Sequence, residues 1–126
     1  MSKVMVVEDE RYLLELYRSE LEDAGYEVIA VASGKEVLDK IKLENPDVIV
    51  LDIRLEGIEG LEVLEQIKNF NVELPVILNS AYSTYKANFS SWIADDYVVK
   101  SPDLTELKTV IEKYVRPSGA YHETTA

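Results

Sequence analysis

Asp47-Val48-Ile49-Val50-Leu51-Asp52 is an apolar run closed by a carboxylate, and Lys3 to Val7 is a second such run, closed by Glu8, Asp9 and Glu10. Uninterrupted Val/Ile/Leu runs separated by segments of helical periodicity predict central strands of a parallel sheet with helices on both faces. Such a sheet places its ligand crevice beyond the carboxyl ends of the strands, where strand order reverses. If the first and third strands are neighbours, Glu8, Asp9 and Asp52 converge there. Carboxylates that close repel by about 4 kcal/mol per pair near a protein surface. A hard divalent ion, Mg2+ above all, relieves the repulsion and keeps coordination positions open for water and phosphoryl oxygens.

The rest of the chain repeats the alternation of strand and helix. Leu13, Leu14, Tyr17, Leu21 and Ala24 recur at helical spacing, and Gly25 stands where a left-handed cap belongs. Strand two is Glu27 to Val31. Ser33-Gly34-Lys35-Glu36 reads as a capping box, Ser33 accepting from the Glu36 amide, ahead of a helix burying Val37, Leu38 and Ile41. Asn45-Pro46 ends that helix. After strand three, a loop with Gly57 and Gly60 leads into a helix with Leu61, Leu64, Ile67 and Phe70 on one face. Strand four is Pro75 to Asn79, followed by a helix from about Ser83 to Ala94, and strand five is Asp96 to Val99. The last helix carries Leu104, Leu107, Ile111 and Tyr114, with Ser101 as N-cap, Pro102 at its first position and Asp103 in its first turn. Residues 1–116 form one domain on this reading, and 117–126 a flexible tail or the start of a linker.

Composition narrows the function. The 126 residues are 47% hydrophobic, enough for one core. Thirteen Lys and Arg against 24 Asp and Glu give a net charge of -11, which argues against direct binding to nucleic acid or to an anionic membrane. There is no cysteine, so disulfide stapling, thiol catalysis and thiolate metal sites are excluded. The apolar stretch near Met1 is too short for a signal peptide and no run reaches a membrane span, so a cytoplasmic location is expected.

Ser80 and Lys100 stand at the ends of strands four and five, so their side chains are expected in the crevice with Asp52. A hydroxyl donor and an ammonium beside an aspartate suit a phosphorylated carboxylate, whose added oxygens need a hydrogen bond and a counter-charge. Asp52 is then the nucleophile that forms an aspartyl phosphate.

Glu8-Asp9, Asp52, Ser80 and Lys100, with Leu51-Asp52-Ile53-Arg54 before the glycine loop and Asp96-Tyr97-Val98-Val99-Lys100 near the end, resemble the receiver domain of two-component response regulators. The resemblance covers about residues 2 to 115. It implies a flavodoxin-like, doubly wound (βα)5 fold of class α/β, with a five-stranded parallel sheet of order 2-1-3-4-5. It further implies that Asp52 accepts a phosphoryl group from a histidine kinase or phosphotransfer protein. Glu8, Asp9, Asp52 and the Arg54 carbonyl would hold Mg2+, and Ser80 and Lys100 would bind the phosphoryl oxygens. Ser80 and Tyr97 would form the switch, and Arg54 and Tyr82 would tune phosphoryl lifetime. Such a domain acts only on its own phosphorylation and hydrolysis and is no metabolic enzyme. Its output passes to a downstream protein or to an output domain outside this chain, from a monomer or a phosphorylation-dependent dimer.

The chain departs from the family pattern in three places. Glu8 replaces the first of two aspartates, and Ser101 stands between Lys100 and Pro102 where proline commonly follows the lysine directly. The helix after strand four is unusually aromatic, with Tyr82, Tyr85, Phe89 and Trp92. Other functions fit less well. A flavin carrier needs a phosphate cradle where this chain has three acids, and a haloacid-dehalogenase-like phosphatase carries its nucleophile after the first strand. The remaining rival is a degenerate receiver-like interaction module that is not phosphorylated. His122 lies in the tail with no polar cluster in sequence around it and is read as inert.

Overall fold

The computed structural model describes residues 2–55, 58–81 and 93–115. In chain order these form β1 (Lys3–Val7), α1 (Arg11–Asp23), β2 (Glu27–Val31), α2 (Val37–Glu44), β3 (Val48–Asp52), β4 (Arg54–Leu55), β5 (Ile58–Glu59), α3 (Gly60–Phe70), β6 (Val76–Ser80), β7 (Asp96–Val99) and α4 (Thr105–Glu112). The main sheet has five strands in the order β2-β1-β3-β6-β7, every pair parallel. Counted along the chain that is 2-1-3-4-5, the flavodoxin-like doubly wound order, with the reversal between β1 and β3. All residues of β3 and β6 are buried, as continuous apolar runs in central parallel strands require.

Alternation along the strands divides the core into two layers. Val4 and Val6, Val48 and Val50, Ile77 and Val98 face α1 and α4, packing on Leu14, Tyr17, Leu21, Leu107 and Ile111. Met5, Val7, Ile49, Leu51, Val76, Leu78 and Tyr97 face α2 and α3, packing on Val37, Ile41, Val63, Leu64 and Ile67. The expected stops are present. Gly25 has φ 102 and Asn45 has φ 55, left-handed conformations that end α1 and α2.

Several local expectations are corrected. Ser33 accepts from the Lys35 amide at 3.3 Å and opens a short 3-10 turn over Gly34–Glu36, and the α-helix begins at Val37. Ser80 belongs to β6, one residue beyond the expected end. On α3, Phe70 is exposed with the Lys42 ammonium 5.6 Å from its ring centroid, and Val63 and Lys68 are buried instead. The reason is geometric, because a strict three-residue repeat rotates about 60° per step around an α-helix and leaves the core stripe. Ser101 caps the Asp103 amide at 3.2 Å, but Asp103 in turn caps Thr105 at 2.9 Å, so α4 starts later than Pro102. Leu104 precedes that helix and Tyr114 follows it. Ile93 and Ala94 are not helical, and the rest of the expected aromatic helix lies outside the described residues. The same holds for Gly57 and the tail from 116 onward.

Candidate functional site

Strand parity carries four polar side chains to one face at the carboxyl end of the sheet. Glu8 continues the alternation of Val4 and Val6, Asp52 that of Val48 and Val50, Asn79 that of Ile77, and Lys100 that of Val98. Glu8 is 2% exposed and Asp52 5%. One oxygen from each of Glu8, Asp9 and Asp52 lies within 4.8 Å of the others. The Lys100 ammonium donates to Glu8 Oε1 at 2.7 Å and to Asp52 Oδ2 at 2.9 Å. The other oxygens are also engaged, Asp52 Oδ1 by the Arg54 amide at 3.0 Å and Glu8 Oε2 by the Glu10 amide at 3.2 Å.

Three carboxylates around one ammonium leave negative charge in excess. Burial pushes the Glu8 carboxyl above its ordinary range, with the Asp52 charge adding to it, against the opposing pull of Lys100 and the Glu10 amide. Burial alone would lower the Lys100 ammonium. Its hydrogen bonds to Glu8 and Asp52 outweigh that and hold it above the usual lysine value. The donor set is all oxygen, clustered and under-neutralised, which fits a hard divalent cation such as Mg2+.

Ser80 is fully buried, and its carbonyl accepts from the Lys100 amide at 2.6 Å, which ties the base of Lys100 to β6. By alternation with Leu78 its side chain belongs to the face opposite Asn79, the layer in which Tyr97 is buried. Thus Glu8, Asp9, Asp52 and Lys100 come together, while Ser80 and Tyr97 share the other layer. Among the described residues no peptide bond is cis, so the Lys100-Ser101 bond is trans. Arg54 forms a small hairpin with the segment before α3, pairing Arg54 with Glu59. Tyr82 lies outside the described residues.

Sequence reasoning passed over three contributors. Gly60 opens α3 directly beneath the acceptor strand, its amide donating to the Ile53 carbonyl at 2.7 Å. A Cβ there would press on the Asp52 carbonyl and lie 2.6 Å from Ile53 Cα, so only glycine allows the approach. Asn79 is paired in register with Asp52 and is 3% exposed, on the side of the sheet where Tyr17 is buried. Burial pushes the Tyr17 phenol up, with the nearby Asn79 amide and Lys100 charge acting the other way. Tyr17 in turn lines a cavity of about 330 Å3 with Tyr12, Leu16, Lys100 and Pro102 beside the acidic cluster. The parity that places Asp52 also places Asn79, so that signal was present in the sequence.

The response regulator receiver domain family matches residues 4–112. The chain belongs to that family. The receiver domain is 33% identical over 118 residues to the alkaline phosphatase synthesis transcriptional regulatory protein PhoP of Bacillus subtilis, covering 92% of this chain and 49% of that one. It spans about half the length of the curated relatives it matches. Among solved structures it superposes on the response regulator TrrA of Thermotoga maritima, in complex with Mg2+ and BeF, with TM-score 0.86 and 42% identity over 91% of this chain and 100% of that one. A complex of TrrA with the histidine kinase ThkA gives TM-score 0.84 at 42% identity, covering 91% and 99%. Receiver domains are signalling domains rather than metabolic enzymes. No described helix of this one is long and apolar enough to cross a membrane.

Proposed function

We propose that this receiver domain is a phosphorylation-dependent switch in which Asp52 accepts a phosphoryl group from the histidine of a kinase or phosphotransfer protein. The observation that carries this reading is the Lys100 ammonium 2.9 Å from Asp52 Oδ2, beside three carboxylates that one lysine does not neutralise. An Asp52 oxygen attacks phosphorus as the bond from phosphorus to the donor nitrogen breaks, and the nitrogen keeps the bonding pair. Glu8, Asp9, Asp52 and the Arg54 carbonyl would hold Mg2+, whose chemistry is to neutralise charge on the attacking and transferred oxygens. Lys100 turns its ammonium from the bare carboxylate to the new phosphoryl oxygens, and the Ser80 hydroxyl supplies a further donor. Ser80 and Tyr97 lie in the layer against α2 and α3, so movement of Ser80 toward phosphate changes the packing of that layer. Arg54 and Tyr82 set how readily water reaches the phosphoryl group.

Support comes from the relatives. TrrA is held with Mg2+ and BeF in one structure and with a histidine kinase in another, and this chain shares 42% identity with it. Because the chain spans about half of its curated relatives, output passes to a separate protein or to an output segment outside these residues. The net charge of -11 argues against direct nucleic-acid contact.

Acetyl phosphate with Mg2+ tests the proposal by intact mass. The wild type should gain one phosphoryl group, labile in base, and Asp52→Asn should stay unmodified. An unmodified wild type would favour the degenerate interaction module, and a modified Asp52→Asn would move the acceptor elsewhere.

A further inference from the structure

Among the described residues β7 pairs only with β6, so the strand that leads into Lys100 is a short one at the edge of the sheet. Its side chains do little to fix its register. Tyr97 and Val99 face the layer of α2 and α3, Val98 faces the layer of α1 and α4, and a slip of one residue would turn Lys100 to the face away from Asp52. At the carboxyl end the Lys100 amide is held by the Ser80 carbonyl, and Ser80 is the residue that moves on the phosphorylation reading. A register that survives this movement needs an attachment at the amino end.

Asp95 supplies it. Its amide donates to the Val76 carbonyl at 2.9 Å and its Oδ2 accepts the Val76 amide at 2.8 Å, so one residue clasps both main-chain groups of another at the start of β6. The same Oδ2 accepts from the Lys68 ammonium at 2.7 Å. The Asp95 side chain is 36% exposed and has water to turn to, whereas that of Lys68 is 4% exposed and anchored on the Val72 and Leu74 carbonyls. A buried ammonium needs its counter-charge, which keeps the carboxylate turned inward over Val76.

We infer that Lys68 and Asp95 are positioning residues that lock the register of β7 on β6, and so fix the face of the sheet from which Lys100 reaches Asp52. The lock acts from a distance, since Lys100 stands five residues beyond Asp95, about 16 Å along the strand. The inference rests on the phosphorylation reading of the Lys100 site and adds residues at the opposite end of the sheet to it.

Beryllofluoride, which stands in for the phosphoryl group, separates positioning from plain stability. Its affinity and that of Mg2+ alone would be measured by titration of wild type, Asp95→Ala, Lys68→Met and the double variant, with amide NMR spectra to check the fold and to follow hydrogen exchange. Asp95→Ala removes the clasp at a partly exposed position and carries the test should Lys68→Met not fold. In it the Lys100 amide should exchange about tenfold faster relative to the amides of β3, because β7 opens locally. Beryllofluoride should bind about tenfold more weakly, the effect of a displaced Lys100. Mg2+ affinity should stay within about twofold, because the carboxylates that would hold it lie on β1, β3 and the loop after β1, remote from the change. Lys68→Met should show a smaller loss in the same direction, and the double variant should match Asp95→Ala alone, since the lysine acts through the carboxylate. Folded Asp95→Ala with the beryllofluoride affinity of wild type, and with Lys100 protection falling no further than that of β3, would overturn the inference. Additive losses in the double variant, or equal loss of Mg2+ and beryllofluoride binding, would also overturn it. A wild type that binds Mg2+ but no beryllofluoride would defeat the phosphorylation reading instead, and the exchange rates at Lys100 would still judge the lock.

Discussion

The two ends of the sheet each seat a lysine, Lys68 buried and Lys100 partly buried, and they treat it differently. At the amino end of β6, Lys68 donates to the Leu74 carbonyl at 2.7 Å, the Val72 carbonyl at 3.1 Å and Asp95 Oδ2 at 2.7 Å, and that carboxylate oxygen also accepts the Val76 amide at 2.8 Å. Three acceptors answer three donors and one charge answers one charge. At the carboxyl end, Lys100 faces Glu8 and Asp52, with Asp9 close by. The first arrangement is complete and has nothing left to bind. The second keeps a charge imbalance, which costs stability and leaves affinity for a cation. The contrast marks which buried ion pair belongs to the scaffold and which to the site.

The largest expected effect falls on the complete end. Lys68→Met should cost about 3 kcal/mol in urea unfolding, because it strands the Val72 and Leu74 carbonyls, whereas Asp95 is partly exposed and keeps the Val76 amide. Lys100→Met should cost less, since Glu8, whose carboxyl is already raised, takes up a proton once the ammonium is gone, and Mg2+ should stabilise this variant more than it stabilises the wild type. If Mg2+ stabilised both variants equally, the two ends would be alike and the contrast would be wrong.

Gly60→Ala comes next. The added methyl meets backbone rather than a yielding side chain, so a loss of about 2 kcal/mol is expected, with α3 pushed from the acceptor strand. Amide shifts at Asp52 and Ile53 should move while those around Lys68 do not. Changes spread evenly over both ends would remove the local account.

The smallest effect is that of the metal on the wild type. At ten times its dissociation constant Mg2+ should stabilise the fold by about 1.4 kcal/mol, and Asp9→Asn should remove most of this. The pH dependence follows from Glu8, whose raised folded value means that its ionisation disfavours the fold as pH rises through the window above 4.5. Mg2+ selects the ionised form, so the gain in melting temperature should shrink as pH falls through that window. The Lys100 contribution has the opposite range. Its folded value is raised, so it is fully present below 10.5 and lost as pH rises through the folded value. A metal effect constant down to pH 4.5 would detach Glu8 from the ion.

Much of this was legible in the sequence, for identifiable reasons. The runs at Val48–Asp52 and Lys3–Val7 are long, apolar and closed by acids, so strand, direction and site emerged together. Gly25 and Asn45 were legible because left-handed caps favour those residue types. What escaped depended on approach distance or on helix phase. Nothing near Gly60 in sequence reveals that the backbone of Ile53 lies against it, and Lys68 looks like an ordinary surface lysine until the carbonyls of the following turn surround it. The later start of α4 depended on Asp103, whose carboxylate competes with Ser101 for the role of cap.

Asn79 and Ser80 are adjacent residues that serve opposite sides of the sheet, the amide toward α1 and the hydroxyl toward the layer of Tyr97. The partition between the two sides is therefore a matter of counting. A one-residue shift in the frame of β6 would exchange the two groups and turn Val76, Ile77 and Leu78 to the opposite core as well. The hydroxyl would then face Tyr17 and the amide Tyr97. For a strand so apolar, with buried residues on both faces, the folded chain could survive such a frame shift and still have lost its signal.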